Sequence, residues 1–395
     1  MTIVQINAVY AFSSTGRTTE ELHKALLASG HQSYVFCTDT SDAANGIYCV
    51  GTVFERKLHA FLSRLTGLQG YFSYHATRKL IVRLRKIKPD VVHLRNLHAN
   101  FINLKMLLRF LQKEQIPVVI TLHDCWLFTG RCCHYLQDNC DKWKTVCKNC
   151  PALHRYNSSW FFDRSTKMQR DKQRLFGALP KLAVVGVSDW VLGEAKQSFM
   201  AKNASFYRIY NWIDLERFSV KESAQKSETV PTVLCVAQNW SEQKGLCDVI
   251  SVAEMRPEYD FIMVGELPPS CRLPRNIHAI GAVNDTKALA ELYRNASVLL
   301  HLSHQETFGK VIAESLACGT PAVVYDTTAL PELIGADCGM VVAFGDRDGA
   351  ATAVDAVLTQ PERFCAERCR AFAATNFDKA SLIQQQIDLY CELCK

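Results

Sequence analysis

The sequence predicts an α/β protein made of two doubly wound parallel-sheet domains, and three observations carry that reading. At 395 residues the chain exceeds the size at which a single hydrophobic core stops growing. Short runs rich in Val, Ile and Leu recur along it without alternation, separated by helix-period stretches; strands buried on both faces of a parallel sheet read this way. One polar stretch, VKESAQKSET at 220–229, interrupts the pattern and reads as the linker between two halves.

The first half opens with a strand over 3–6, a Ser/Gly loop at 13–17 (SSTGR) and a helix over 19–27 that Gly30 and His31 end. A second strand over 32–37 completes a βαβ opening with a glycine at its first strand–helix junction. Further strands fall at 91–94, introduced by Lys88-Pro89-Asp90, at 118–122, introduced by Ile116-Pro117, and at 182–187. The second half repeats the pattern with strands at 232–237, 261–264, 277–280, 298–300 and 322–325, with helical segments such as 289–295 between them. The expected domains are 1–210, with a Cys-rich loop at 125–150, and 211–375. A last helix within 376–395 is expected to pack back toward the N-terminal domain.

Two such domains facing across a cleft place the carboxyl ends of both sheets around one space, where open α/β sheets bind ligands. Candidate functional residues should then follow strands. Gly16-Arg17, His123-Asp124, Lys244-Gly245 and Glu306 all do.

The formal charge is a modest +6, but it is unevenly spread: between Arg56 and Lys88 there are nine Lys/Arg residues and no acid. Apolar residues interleave there at roughly helical spacing (Leu58, Phe61, Leu62, Leu65; Leu80, Ile81, Leu84, Ile87). Such a face suits an anionic membrane surface or a phosphate-bearing acceptor, or it is a solvated helix face beside a core stripe. Nucleic acid is not an expected partner, because no recognition helix, finger or aromatic-basic module accompanies the patch. No run approaches the ~20 apolar residues that span a bilayer, and the N-terminus moves straight into a strand pattern without a basic leader. Seventeen cysteines scattered through strand and helix patterns fit a reducing compartment. The expected location is therefore cytoplasmic, with the inner face of the plasma membrane within reach.

The densest chemistry lies at 306–332, ETFGKVIAESLACGTPAVVYDTTALPE. Two acids, Glu306 and Glu314, flank a Phe308-Gly309 turn, and a Cys318-Gly319-Thr320-Pro321 stop leads into a strand. The turn can offer backbone N–H groups at a helix start, around Phe308, Gly309 and Lys310, to phosphate or sugar oxygens. The carboxylates can accept from a diol, and hydrogen bonds to a charged partner are worth ~1.5–3 kcal/mol. Lys244 is a candidate clamp for a phosphate leaving group. In the Cys-rich loop, Cys133, Cys140, Cys147 and Cys150 could hold a structural zinc ion. Their spacing of x6, x6 and x2 is looser than a zinc-ribbon pattern, and disulfides or a core of free thiols stay open as readings.

These strings, in this order after strands, resemble the retaining GT-B glycosyltransferases of the family 4 type (glycosyl transferases group 1). The likeness is to the subset of bacterial polysaccharide and lipopolysaccharide biosynthesis. The motifs are E306-TFGKVIA-E314, CGTP at 318–321, Pro331-Glu332, NWID at 211–214 with Phe218, Lys244-Gly245, His123-Asp124, and the HD-x-W-x-FTG context of the Cys loop. The resemblance covers nearly the whole chain. It implies a nucleotide-sugar donor, a saccharide or polyprenyl-linked saccharide acceptor, and transfer with retained anomeric configuration. It implies that Glu306 lies by the donor sugar, Glu314 on the ribose, and His123 near the sugar and phosphate. Gly16, Arg17 and Asp124 fall on the acceptor side. No Asp-x-Asp pair is placed for a catalytic ion, so no metal or cofactor is expected for catalysis.

The chain departs from the family in two places. Asn239 stands where an arginine is common five residues before the lysine, and Thr328-Ala329 stand where paired glycines are common. The alternatives are a nucleotide-sugar-binding protein without transferase activity, for which Asn239 is the best support, and a GT-B-fold nucleotide-sugar epimerase.

Overall fold

The computed structural model describes residues 1–220 and 230–395; apart from Val220, the expected linker lies outside the described residues. The chain divides into two compact units, Met1–Ile209 with Ile383–Lys395, and Tyr210–Leu382.

The first unit holds a seven-stranded sheet: β1 Thr2–Ile6, β2 Gln32–Cys37, β3 Ile47–Cys49, β4 Val91–Leu94, β5 Val118–Leu122, β6 Leu182–Gly186 and β7 Ser205–Arg208. The order is β3-β2-β1-β4-β5-β6-β7, with every pairing parallel. β4, β5 and β6 are buried at every position, as their unbroken apolar runs require. The order reverses between β1 and β4, which makes their carboxyl ends a topological switch point.

The first helix, Ser13–Ala28, begins where a loop is expected from sequence, so Gly16 and Arg17 stand in its first turns. The Ala11 N–H closes on the Gly16 carbonyl at 3.0 Å, and a Cβ at position 16 would sit 3.3 Å from the Ala11 nitrogen and the Tyr10 carbonyl carbon. The Thr18 and Thr19 hydroxyls donate back to the Thr15 carbonyl. The polar Ser/Thr run is thus a compact helix start rather than an open loop.

The basic segment forms two helices, Val53–Thr66 and Tyr74–Ile87. The first is opened by a capping box between Thr52 and Glu55 and closed by left-handed Gly67. Leu80 and Leu84 turn into the core, while Phe54, Leu58 and Phe61 stay exposed.

The second unit holds a six-stranded parallel sheet: β8 Thr232–Asn239, β9 Asp260–Glu266, β10 Ile277–Ala279, β11 Val298–His301, β12 Ala322–Tyr325 and β13 Gly339–Val342, in the order β10-β9-β8-β11-β12-β13. Its switch point lies between β8 and β11, which pair through Val298↔Val233 and Leu299↔Leu234.

The last helix, Lys379–Leu393, contains the boundary between the units. In the first unit its buried Tyr390 hydroxyl is hydrogen-bonded to His93 Nδ1 at 2.6 Å, and the Leu393 carbonyl accepts from Lys181 at 2.9 Å. Among the described residues no helix is long and apolar enough to cross a membrane.

Candidate active site

The switch point of the second sheet is where charged side chains converge. β8 leads through a short turn to Lys244, and β11 ends at His301 and leads to Glu306. Two hydrogen bonds tie these loops: the His304 N–H donates to the Gln243 carbonyl at 2.9 Å, and the Ser303 hydroxyl donates to the same oxygen at 3.2 Å. Gly245 makes the approach feasible. It is left-handed (φ 72°), and a Cβ there would fall 2.1 Å from the Leu302 carbonyl oxygen.

Held so, the Lys244 ammonium donates to Glu306 Oε1, and His301 Nε2 lies 3.4 Å from that oxygen. His301 is buried and Glu306 largely so. Burial alone would push the Glu306 carboxyl up, but the Lys244 ammonium and His301 outweigh it and hold the group well below the ordinary carboxylate range. The site therefore presents an ionised carboxylate next to a cation.

Behind Glu306, the Thr328 hydroxyl accepts from the Glu306 N–H at 3.0 Å, and Thr328 is itself left-handed (φ 51°). A glycine would adopt that conformation without strain. Threonine adopts it here and adds a hydrogen bond that fixes the Glu306 backbone.

Gly309 (φ 95°) turns the chain into the helix Lys310–Ala317, whose N-terminus has no side-chain cap. Its first N–H groups accordingly suit an anion. Phe308 is buried against Tyr210 and Phe377, with ring centroids 5.8 and 5.6 Å away, so its side chain anchors the turn. Glu314, one helical turn and more beyond Lys310, is 4% exposed and accepts from the Tyr293 hydroxyl at 3.1 Å. Asn239 is exposed at the end of β8, opposite Glu266 of β9.

In the first unit, His123 and Asp124 follow β5 and are half-buried. Asp124 Oδ1 accepts from the Trp126 N–H at 2.7 Å, and Oδ2 lies 3.4 Å from His98 Nδ1. Arg17 is half-buried, and its Nε donates to the Ser13 carbonyl at 3.4 Å. The four cysteines singled out from sequence do not all meet. Cys140, Cys147 and Cys150 line one small cavity together with Cys132, whereas the buried Cys133 lies with His98 and Asp124.

Sequence reasoning missed His301 and the cluster in which Asp248 is bonded to His304 Nε2 and to Arg347 Nε, both at 2.7 Å. His301 ends a parallel strand, the signal that singles out its neighbours. Asp248 lies within a helix and gives no such signal. The Asn211–Asp214 motif is a fastening: Asp214 accepts from the Lys379 ammonium, and Arg370 donates to the Leu215 carbonyl at 2.8 Å.

With the fold and this site in hand, the chain can be compared with known proteins. A family model described as Glycosyltransferase Family 4 matches residues 15–217, just over half of the chain. The chain belongs to glycosyltransferase family 4. A second model, Glycosyl transferases group 1, matches residues 217–375 of this family 4 chain.

The family 4 chain is 26% identical over 271 residues to WcaC of Escherichia coli strain K12, assigned as a colanic acid biosynthesis glycosyl transferase, covering 66% of the chain and 65% of WcaC. It is 42% identical over 116 residues to a GDP-mannose-dependent alpha-(1-6)-phosphatidylinositol dimannoside mannosyltransferase of Mycobacterium tuberculosis, covering 27% of the chain and 30% of that protein. The matches thus span less than two thirds of these relatives. Sucrose-phosphate synthase from Thermosynechococcus elongatus aligns with 100% of the chain and 99% of its own, at a TM-score of 0.72 and 16% identity. That likeness gives the fold: two Rossmann-like parallel-sheet domains, as in GT-B proteins.

Proposed function

We propose that this family 4 protein is a retaining glycosyltransferase that moves a sugar from a nucleoside-diphosphate sugar to a saccharide or lipid-linked saccharide acceptor. The pathway we assign is the assembly of a bacterial surface polysaccharide. One observation carries the reading: Lys244 and Glu306 meet at the switch point of the second sheet, beside an uncapped helix start. Lys244 turns from Glu306 to the diphosphate and stabilises the charge that grows as it leaves, an interaction strongest in the transition state. Glu306, kept ionised, accepts from donor-sugar hydroxyls near the reacting carbon. The N–H groups at Phe308–Lys310 receive phosphate or sugar oxygens, Glu314 takes the ribose hydroxyls, and Asn239 borders the phosphates. His123, Asp124, Gly16 and Arg17 serve the first unit's side of the reaction. The acceptor hydroxyl attacks the face from which the diphosphate departs, and the departing phosphate takes its proton.

The surface of the first unit supports an acceptor presented at an anionic membrane. Phe54 and Phe161 are 73% and 66% exposed, and Phe61 packs edge-on against Trp160 at 5.7 Å, so that this apolar patch lies within and beside the basic helices. Apolar side chains flanked by Lys and Arg suit the headgroup region. WcaC supports the surface-polysaccharide assignment. The neutral Asn239 favours a second reading, a protein that binds the nucleotide sugar without transferring it.

The test is an acceptor-panel assay with the anomeric configuration of the product read by NMR. A product with the donor's configuration supports the proposal. An inverted product overturns the retaining assignment. Donor bound but never transferred favours the second reading, and donor consumed without acceptor favours an epimerase.

A further inference from the structure

The loop between β5 and the helix Ser165–Phe176 contains a site that the transferase reading does not use. All of the cysteines are free thiols. Cys132, Cys140, Cys147 and Cys150 line a cavity of about 10 Å³, room for one water-sized occupant. Cys132 Sγ and Cys150 Sγ are 3.9 Å apart. A disulfide would need about 2.05 Å. Two sulfurs each about 2.3 Å from a tetrahedral zinc ion lie about 3.8 Å apart.

The backbone of the two downstream cysteines is pinned: the Cys147 N–H donates to Gln169 Oε1 at 2.7 Å and the Cys150 N–H to Asp163 Oδ2 at 2.8 Å. Gly130 packs so closely that a Cβ there would lie 3.0 Å from the Cys147 sulfur. Cys147 and Cys150 form a Cys-x-x-Cys turn tightened by left-handed Asn149 (φ 46°).

Charge gives an independent argument. Lys172 and Arg131 are buried beside the cavity, 3% and 4% exposed. The Lys172 ammonium donates to the carbonyls of Trp126, Thr129 and Gly130, and Arg131 donates to the Asn157 carbonyl. Burial lowers the Lys172 pKa to about 7, so deprotonation relieves part of that charge; Arg131 Nη1 is buried without a hydrogen-bond partner, and a buried guanidinium calls for nearby negative charge. Four thiolates around one Zn²⁺ carry a net charge of −2.

Cys133 does not fit the set. Its sulfur accepts from Asn157 Nδ2 at 3.6 Å and groups with His98 and Asp124, whose ligand atoms all lie within 4.8 Å of one another.

We propose that Cys132, Cys140, Cys147 and Cys150 bind one zinc ion as a closed structural site, and that Cys133 is not a ligand. The ion clips the loop that follows β5. Through Cys133, whose carbonyl accepts from the Cys125 N–H at 2.9 Å, it holds the turn carrying Asp124.

The experiment is metal analysis by mass spectrometry of the whole chain, purified without chelator from zinc-supplemented cells, for the parent, Cys132→Ser and Cys133→Ser. The expected result is one zinc per chain in the parent and in Cys133→Ser, and none in Cys132→Ser. Cobalt substituted into the parent should show thiolate-to-metal charge transfer and tetrahedral d–d bands, a readout that needs no variant to fold. A parent without zinc that also fails to take up cobalt overturns the proposal. Zinc kept by Cys132→Ser and lost by Cys133→Ser also overturns it, and moves the ion to His98, Asp124 and Cys133.

Discussion

The charged site of the second unit and the Cys-rich loop of the first bring reactive side chains together by opposite means. Lys244 and Glu306 are 62 residues apart, yet they meet because adjacent parallel strands deliver them to one end of one sheet and two hydrogen bonds tie their loops. Cys132 and Cys150 are only 18 residues apart, in a stretch whose only regular structure is two three-residue 3-10 turns. The sheet positions the first pair at no cost beyond folding itself. The thiols sit in irregular backbone, where the proposed ion would hold them. A site at strand ends inherits its geometry from the fold, whereas a site in a loop supplies part of the fold's stability.

The largest effect expected from this contrast is on catalysis. Lys244→Ala should lower kcat by about 10²–10³-fold, the usual cost of a lost charge-stabilising donor, with donor KM little changed. Steady-state kinetics check it, and an unchanged kcat would place the clamp elsewhere.

Glu314→Gln should raise donor KM by roughly 10–100-fold at similar kcat, since a charged hydrogen bond of ~1.5–3 kcal/mol would be weakened in ground and transition states alike. Its partner Tyr293 should matter less, because its hydroxyl acts on the donor only through Glu314.

Stripping the loop should leave the second unit intact. Cys147→Ser should lower the thermal midpoint of the first unit by roughly 4–8 °C, equivalent to about 2 kcal/mol, while nucleotide affinity is retained. Calorimetry on the same sample as a binding titration checks both. Loss of nucleotide affinity would mean that the loop and the charged site are not separable in this way.

A further predicted effect is the response to pH. His59 is buried, with Nδ1 2.7 Å from the Ser73 hydroxyl and Nε2 accepting from the Gly70 N–H. Burial lowers its pKa from 6.5 to about 4. The folded state therefore binds this proton less readily than the unfolded chain. Stability is fully present above pH 6.5 and is lost as pH falls toward 4, with a slope of at most about 1.4 kcal/mol per pH unit. Glu306, whose pKa is also lowered, stays charged through that window. Urea unfolding between pH 7 and 4 should show the slope in the parent and a shallower one in His59→Gln. Equal slopes would assign the acid sensitivity to another group.

Sequence patterns read most clearly where side chains are buried on both faces. The bounds expected for Val91–Leu94, Val118–Leu122 and Ala322–Tyr325 are those observed. The strands that escaped, Ile47–Cys49, Ser205–Arg208 and Gly339–Val342, are all sheet edges, three or four residues long and only partly buried, too short to stand out from their surroundings even where, as in Gly339–Val342, the run is apolar. His301 escaped by one residue, because the apolar run ends at Leu300 and the strand does not. The helix start at Ser13 was hidden because Ser, Thr and Gly signal loops unless their hydroxyls bond back to the chain, as those of Thr18 and Thr19 do. In the Cys loop a shift of one position, Cys132 for Cys133, changes the set. No periodicity distinguishes adjacent cysteines in irregular backbone.

The measurement that tests the central claim most directly is saturation-transfer NMR with UDP-, GDP-, ADP- and dTDP-sugars, run on the parent chain and on Glu314→Gln. The account predicts that the parent selects one nucleoside, with saturation of both ribose and sugar protons, and that the signal falls sharply in the variant. Binding that is equal in the two proteins, or no binding of any nucleotide sugar by the parent, would contradict it.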